Sequence, residues 1–316
     1  MKKLSGFYKG VNLGGWLSQC VHTKEHYDSF IQDEDFRELS GWGLDHLRLP
    51  VDYDLLENDD GSYKEDGFLY IDYAIKMCRE IGLSLILDLH KTYGFSFDKG
   101  EGEGGFFENE QYRERFCRLW ERLAKRYAKH SDMLAFELLN EVTDKSYCDI
   151  WNETALNCIK RIRAIAPDNL ILVGGYHNNS AEAVKDLLYI EDDKLVYNFH
   201  CYDPLRFTHQ GAYWVEDMDR DFKMSFEESG VTEKFFEDFF ADAIKTSNER
   251  GVPLYCGEYG VIETVDVQQA LPWYKALHSV FEKYNIGHAV WTYKKMDFGL
   301  SSPSLSVIKN EIISHK

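Results

Sequence analysis

Eight short apolar runs recur along the 316 residues, each followed by a loop and then a stretch of helical period. They fall at residues 8–13 (YKGVNL), 44–49 (LDHLRL), 84–90 (SLILDLH), 134–140 (LAFELLN), 170–174 (LILVG), 195–200 (LVYNFH), 253–258 (PLYCGE) and 287–293 (GHAVWTY). The intervening segments 70–81, 111–129, 150–166, 234–250 and 273–284 carry the helical pattern. Hairpin signals are almost lacking, so neighbouring strands must run parallel through crossovers. Eight such alternations predict an α/β chain closed into a single (β/α)8 TIM barrel. A doubly wound open sheet would put a nucleotide loop after the first strand, and Asn12-Leu13-Gly14-Gly15-Trp16 is not one. Barrels of this kind reach ~250 residues or more as one unit, so residues 1–316 are expected to form one catalytic domain. The widest interval, about 58 residues, separates the sixth and seventh runs. Its excess is a long acidic and aromatic loop at about 203–230, after strand six and on the catalytic face.

Composition narrows the partners. With 36 Lys+Arg against 54 Asp+Glu, the net charge is −18, and a surface this acidic repels phosphate backbones and anionic lipid. Nucleic-acid and membrane partners are therefore not expected. The 20 Tyr, 20 Phe and 7 Trp suit either core mass or a cleft that stacks flat neutral ligands. Seven cysteines without a CxxC pair read as reduced thiols. The basic N-terminus has no apolar run behind it, and no stretch approaches the ~18 apolar residues of a membrane span. A cytoplasmic protein is expected. Composition leaves the oligomeric state open.

The chemistry gathers at the strand ends. The second strand is expected to end at Arg48, the third at His90, the fourth at Asn140-Glu141, the sixth at His200-Cys201-Tyr202 and the seventh at Glu258, with the eighth running through Trp291. The C-terminal ends of barrel strands converge, so these residues should meet in one pocket. Such a set supports hydrolysis at an acetal carbon, with Glu141 and Glu258 as paired carboxyls about 5 Å apart if configuration is retained. One must stay protonated and the other ionised. Arg48 and Tyr202 are suited to keep Glu258 anionic, and His200 to orient Glu141. Asn140 can hold a sugar 2-hydroxyl, and the Trp291 indole can carry the sugar face. The chemistry calls for neither a metal nor an organic cofactor.

These residues resemble glycoside hydrolase family 5, the cellulase family. The resemblance rests on Leu139-Asn140-Glu141, on His200 with Tyr202, on Gly257-Glu258-Tyr259-Gly260 and on Trp291, and it spans nearly the whole chain. It implies that Glu141 is the acid/base and Glu258 the nucleophile of a retaining mechanism. It also implies that Arg48, His90, Asn140, His200, Tyr202 and Trp291 occupy the family's other active-site positions. The implied substrate is a β-1,4 or mixed-linkage β-1,3-1,4 glucan cut internally. An exo-β-1,3-glucanase, a β-mannanase and a carbohydrate-binding protein without catalysis are the alternatives. Two departures stand out. The run after strand three is His90-Lys91-Thr92-Tyr93-Gly94, without the second His and the Pro-Gly often found there. The loop after strand six is shorter than the subdomain a member of the family carries there.

Several other signals have two readings each. His22-Thr23-Lys24-Glu25-His26 matches the HxxEH zinc pattern but lacks a third ligand, so a solvated helix start is the stronger expectation. The glycines from Gly100 to Gly105 formally contain GxGxxG, yet their glutamates would repel a pyrophosphate. Cys201 and Cys256 flank the site, but alternation should send them outward against helices. His177 and His209 stand on catalytic-side loops, either touching sugar or idle. Trp214 and Phe207 either stack sugars or form the loop's own small core.

Overall fold

The computed structural model describes residues 2–98 and 104–314. Eight parallel strands close in sequence order: β1 (Lys9–Asn12), β2 (His46–Asp52), β3 (Ser84–Lys91), β4 (Leu134–Glu137), β5 (Ile171–Val173), β6 (Leu195–Cys201), β7 (Leu254–Tyr259) and β8 (Gly287–Val290). The predicted barrel is present, and β1 closes onto β8 through Val11 opposite Val290. Two strand ends differ from expectation. β2 continues four residues past Arg48 to Asp52, placing the guanidinium inside the barrel rather than at its rim. β4 stops at Glu137, so Asn140 and Glu141 stand in the loop that follows.

Alternation separates two apolar layers. Ile86, Ala135, Leu172, Val196, Tyr255 and Ala289 point inward, and Leu4 and Phe7 join this group. The opposite faces of the strands pack against the helices, and Cys201 and Cys256 lie in that outer core as alternation requires. Strict alternation from the inward Tyr255 would send Glu258 outward. A register shift prevents this: Phe199 pairs with Cys256 but His200 pairs with Glu258, so β7 gains one residue at Gly257 and turns Glu258 into the barrel. A Cβ on Gly257 would lie 2.8 Å from Asn198 Oδ1 and 3.0 Å from His200 Nε2, which explains the glycine at the bulge.

Three fully buried tryptophans on the outer helices pin the catalytic-side loops. Trp120 Nε1 donates to Leu138 O (2.9 Å), Trp151 Nε1 to Gly174 O (2.8 Å) and Trp273 Nε1 to Asp203 O (2.9 Å). Each carbonyl lies just past the end of β4, β5 or β6, so buried indoles in the outer layer set where those loops begin. The helical segment 234–250 is two helices, Glu233–Phe239 and Ala241–Arg250. The join is Phe240, which is fully buried against Phe199, Phe236 and Phe281. The loop at 203–230 contains the short helices Leu205–Thr208 and Phe226–Ser229 and is tied across its neck by Gln210, which bonds both N and O of Met224. Phe207 is fully buried beside Phe226 and belongs to this loop's core, not to a sugar platform.

The HxxEH segment does not form a two-histidine face. The helix starts at Lys24, so His22 lies before its cap Thr23. His26 Nε2 approaches Gly15 O at 2.8 Å, while His22 pairs with Asp52 (3.2 Å). Most of the Gly100–Gly105 pattern lies outside the described residues.

Candidate active site

The floor of the site is built around Arg48, a fully buried guanidinium on β2. Its Nε and Nη2 reach both oxygens of Glu137 (2.8 Å each), Nη1 reaches Glu258 Oε1 and Asn12 Oδ1 (2.8 Å each), and Nη2 also reaches Asn140 Oδ1 (2.9 Å) and Asp88 Oδ2 (3.1 Å). A buried guanidinium needs such compensation, because desolvating it alone would cost several kcal/mol. Three carboxyl groups from three strands supply it. The fork geometry of arginine in turn fixes where those carboxyls can stand.

Above this floor stand Glu141 and Glu258. The positive φ of 48° at Glu141 turns its side chain into the cleft from the β4 loop. A ligand-type atom from each of Glu141, His200 and Glu258 lies within 4.8 Å of the others. Burial pushes both carboxyls up, each to about 7, and Arg48 opposes that rise in both. Their hydrogen-bond partners nevertheless differ. Glu258 accepts from Arg48 on Oε1 and from the Tyr202 hydroxyl on Oε2 (2.9 Å), so both oxygens are committed as acceptors, one to a permanent charge. Glu141 meets only neutral groups: Asn178 Nδ2 donates to its Oε2 (3.1 Å), and His200 Nδ1 lies 2.8 Å from its Oε1. Burial lowers His200 to about 4, so the imidazole is neutral, and its Nδ1 donates to or accepts from Glu141 according to which ring nitrogen carries the hydrogen. With a permanent cation on Glu258 and none on Glu141, a proton shared by the two carboxyls is favoured on Glu141.

The structure brings His90, Glu141, His200, Tyr202, Trp214, Glu258 and Trp291 to the cleft wall, with Arg48 and Asn140 buried beneath it. His90 on β3 meets Asp88 through Nδ1 (2.6 Å) and Gln19 Oε1 through Nε2 (3.2 Å); burial keeps the ring neutral, so with its one hydrogen on Nε2 towards the amide oxygen, Nδ1 accepts from the Asp88 carboxyl, which burial raises to about 7. The His90 ring lies parallel to that of Trp291, with centroids 5.9 Å apart and 1° between planes. Asn140 uses its carbonyl oxygen on Arg48, while its buried Nδ2 finds no hydrogen-bond partner among the described residues, a donor left available beneath the cleft. Trp214 is 40% exposed at the rim beside Tyr213 and His209, and His177 also lines the cleft.

Asn178 escaped the sequence reading, and so did four residues of the floor: Asn12, Asp88, Glu137 and Asn198. Asn198 holds Glu137 Oε1 (2.7 Å) and Gly257 N (3.0 Å), and Asn12 Nδ2 holds Gly257 O (2.9 Å), so the β7 bulge is bonded from its neighbour β6 and, past β8, from β1. The signal of the four floor residues was the charge or amide in the middle of an otherwise apolar strand, as in LILDLH and LAFELLN, at inward parity.

A TIM barrel carrying two carboxyls this close, on strands facing across the lumen, has the arrangement of a retaining glycoside hydrolase, in which the pair stands about 5–5.5 Å apart. Residues 8–297 match Cellulase (glycosyl hydrolase family 5), and the chain belongs to that family. It is 48% identical over 314 residues to Cellodextrinase A of Ruminococcus flavefaciens, covering 99% of this chain and 94% of that one. Endoglucanase C of Acetivibrio thermocellus is 37% identical over 335 residues, covering 98% and 97%. Among solved structures, an endoglucanase superposes with a TM-score of 0.84 at 22% identity, over 98% of this chain and 97% of that one, a likeness of fold. The protein is a glycoside hydrolase.

Proposed function

We propose that this enzyme cuts β-1,4 or mixed-linkage β-1,3-1,4 glucans internally, by double displacement on Glu258. The Glu258 carboxylate attacks the anomeric carbon while Glu141 gives its proton to the departing glycosidic oxygen, leaving a glycosyl ester on Glu258. Glu141, now anionic, takes a proton from water as that water attacks the same carbon. The ester bond breaks, configuration is retained and both carboxyls return to their starting states. Arg48 and Tyr202 hold Glu258 ionised and directed. Asn140 Nδ2 faces the 2-hydroxyl, a bond that tightens as positive charge develops at the ring. Trp291 supports the sugar face.

The observation carrying this reading is the unequal set of donors on two carboxyls so close together: a permanent cation and a phenol on Glu258, neutral groups on Glu141. The names of the two relatives support glucan, from polymers to soluble cellodextrins. We place the enzyme in the cytoplasm, where short oligosaccharides would be its substrates. The test is reducing-sugar release from mixed-linkage β-glucan, soluble cellulose, laminarin and mannan. Glucan should be cut, the first product observed by NMR should be the β-anomer, and Glu258→Gln should lose at least about 10³-fold in kcat. An α-anomer as first product, or activity retained in Glu258→Gln, would sink the assignment. Turnover of mannan alone would make the enzyme a mannanase on the same machinery.

A further inference from the structure

The barrel order divides the cleft. Between β4, whose following loop carries Glu141, and β7, which carries Glu258, lie β5 and β6 on one side and β8, β1, β2 and β3 on the other. Trp291 and His90, whose rings lie parallel in the cleft, belong to the second side. The loops after β1 and β3 stand on this same side of the cleft, beside the ring pair. Those two loops are joined there. Asp98 lines the cleft and is about a third exposed; Gln19, from the β1 loop, donates to its two oxygens (3.2 and 3.4 Å), and Lys91, the last residue of β3, pairs with it at 2.8 Å.

Three features set this cluster apart from an ordinary surface ion pair. Lys91 is buried, with 8% of its side chain exposed, and a buried ammonium is a net cost that an apolar residue would avoid. Gln19 adopts φ 48°, a strained conformation for a residue other than glycine, of the kind that gathers at ligand clamps. The strained peptide is anchored by its own N–H on Asp52 Oδ2 (2.9 Å). Finally, the Gln19 amide bridges from Asp98 to His90, where its Oε1 meets Nε2 at 3.2 Å. Asp98 can only accept, so the amide nitrogen faces it and the carbonyl oxygen faces His90. A rigid carboxylate, its back held by Lys91 and its flank by Gln19, thus presents its remaining acceptor positions to the cleft. Vicinal hydroxyls are the groups that such a carboxylate binds.

We propose that Asp98 is a substrate-binding residue for the sugar unit before the attacked one, with Lys91 and Gln19 as its positioning residues, and that this trio determines which bond of a short β-glucan is cut. This rests on the glucanase reading above. The experiment compares cellotetraose, labelled with ¹⁸O at its reducing end, with 2,4-dinitrophenyl β-glucoside, which fills only the attacked position. Asp98→Asn should lower the ratio of kcat/KM for cellotetraose over the aryl glucoside by about tenfold to a hundredfold, the worth of hydrogen bonds to a charged group, and should redistribute cleavage among the bonds. Lys91→Met should act in the same direction, and Lys91→Arg should restore most of the ratio. An unchanged ratio and bond distribution overturns the proposal, as does an equal fall on both substrates, the mark of a merely structural role. A wild-type enzyme that cuts neither substrate overturns the glucanase reading itself; one that cuts both, with variants unchanged, overturns only the role of Asp98.

Discussion

At the residue scale, the division of labour between two chemically identical side chains comes from what touches them. Asn178 donates to Glu141 Oε2, a bond that favours the charged form and so restrains the rise that burial imposes. Asn178→Ala removes the donor, raises the pKa of the acid and should move the alkaline limb of the kcat/KM profile to higher pH by about half a unit to one unit. The acid limb, which reports ionisation of Glu258, should stay in place, because its donors Arg48 and Tyr202 are untouched. A profile in which the alkaline limb moves down or stays still would contradict Glu141 as the proton donor. The pairing of Arg48 and Tyr202 with Glu258, and of His200 with Glu141, was legible in the sequence because strand ends converge in any such barrel. The sharing of Arg48 among Asp88, Glu137 and Glu258 was not, since spacing along a strand carries no record of which neighbours a long side chain reaches.

At the element scale, all eight strands were readable from apolar runs bounded by loops, and their order followed from the lack of hairpins. What the periodicity missed were the places where an element breaks its own period. The bulge at Gly257 reverses the facing of Glu258, and PLYCGE looks no different from a regular strand. Phe240 likewise continues a helical pattern that the backbone interrupts, because its ring is claimed by Phe199 and Phe281. The helix Glu65–Ile81 begins where the turn Tyr53–Leu55 crosses it, and a Cβ on Gly67 would come within 1.9 Å of Leu55 O. Backbone cannot yield as a side chain can, so Gly67→Ala should destabilise the fold by about 3 kcal/mol, near the upper end for overpacking. Chemical unfolding should show a lowered midpoint with an unchanged slope. Wild-type stability in this variant would mean that the helix can shift away from the turn.

At the scale of the whole molecule, the active site is a stability liability with a predictable sign. Asp88, Glu141 and Glu258 are each raised to about 7, and Asp203 to about 6, chiefly by burial. Carboxyls whose folded pKa lies above the unfolded value stabilise the fold most below the unfolded value, near pH 4, and lose that contribution as pH rises through about 6 to 7. The buried neutral His90, His200 and His209, held below the usual range, act in the opposite sense over the same interval, so the carboxyl contribution is read as a difference between variants. Glu141→Gln, which cannot ionise, should melt a few degrees above the wild type at pH 8 and near it at pH 5. A difference between Glu141→Gln and wild type that does not grow from pH 5 to pH 8 would contradict the burial argument. The guanidinium of Arg48 gives the molecule one more property. Because a single fork on β2 fixes carboxyls from β3, β4 and β7, the reaction's geometry is inherited as one piece, while the rim that meets the rest of the sugar chain hangs from separate loops. A lineage built this way can drift from one polysaccharide to another by exchanging loops, without renegotiating its chemistry.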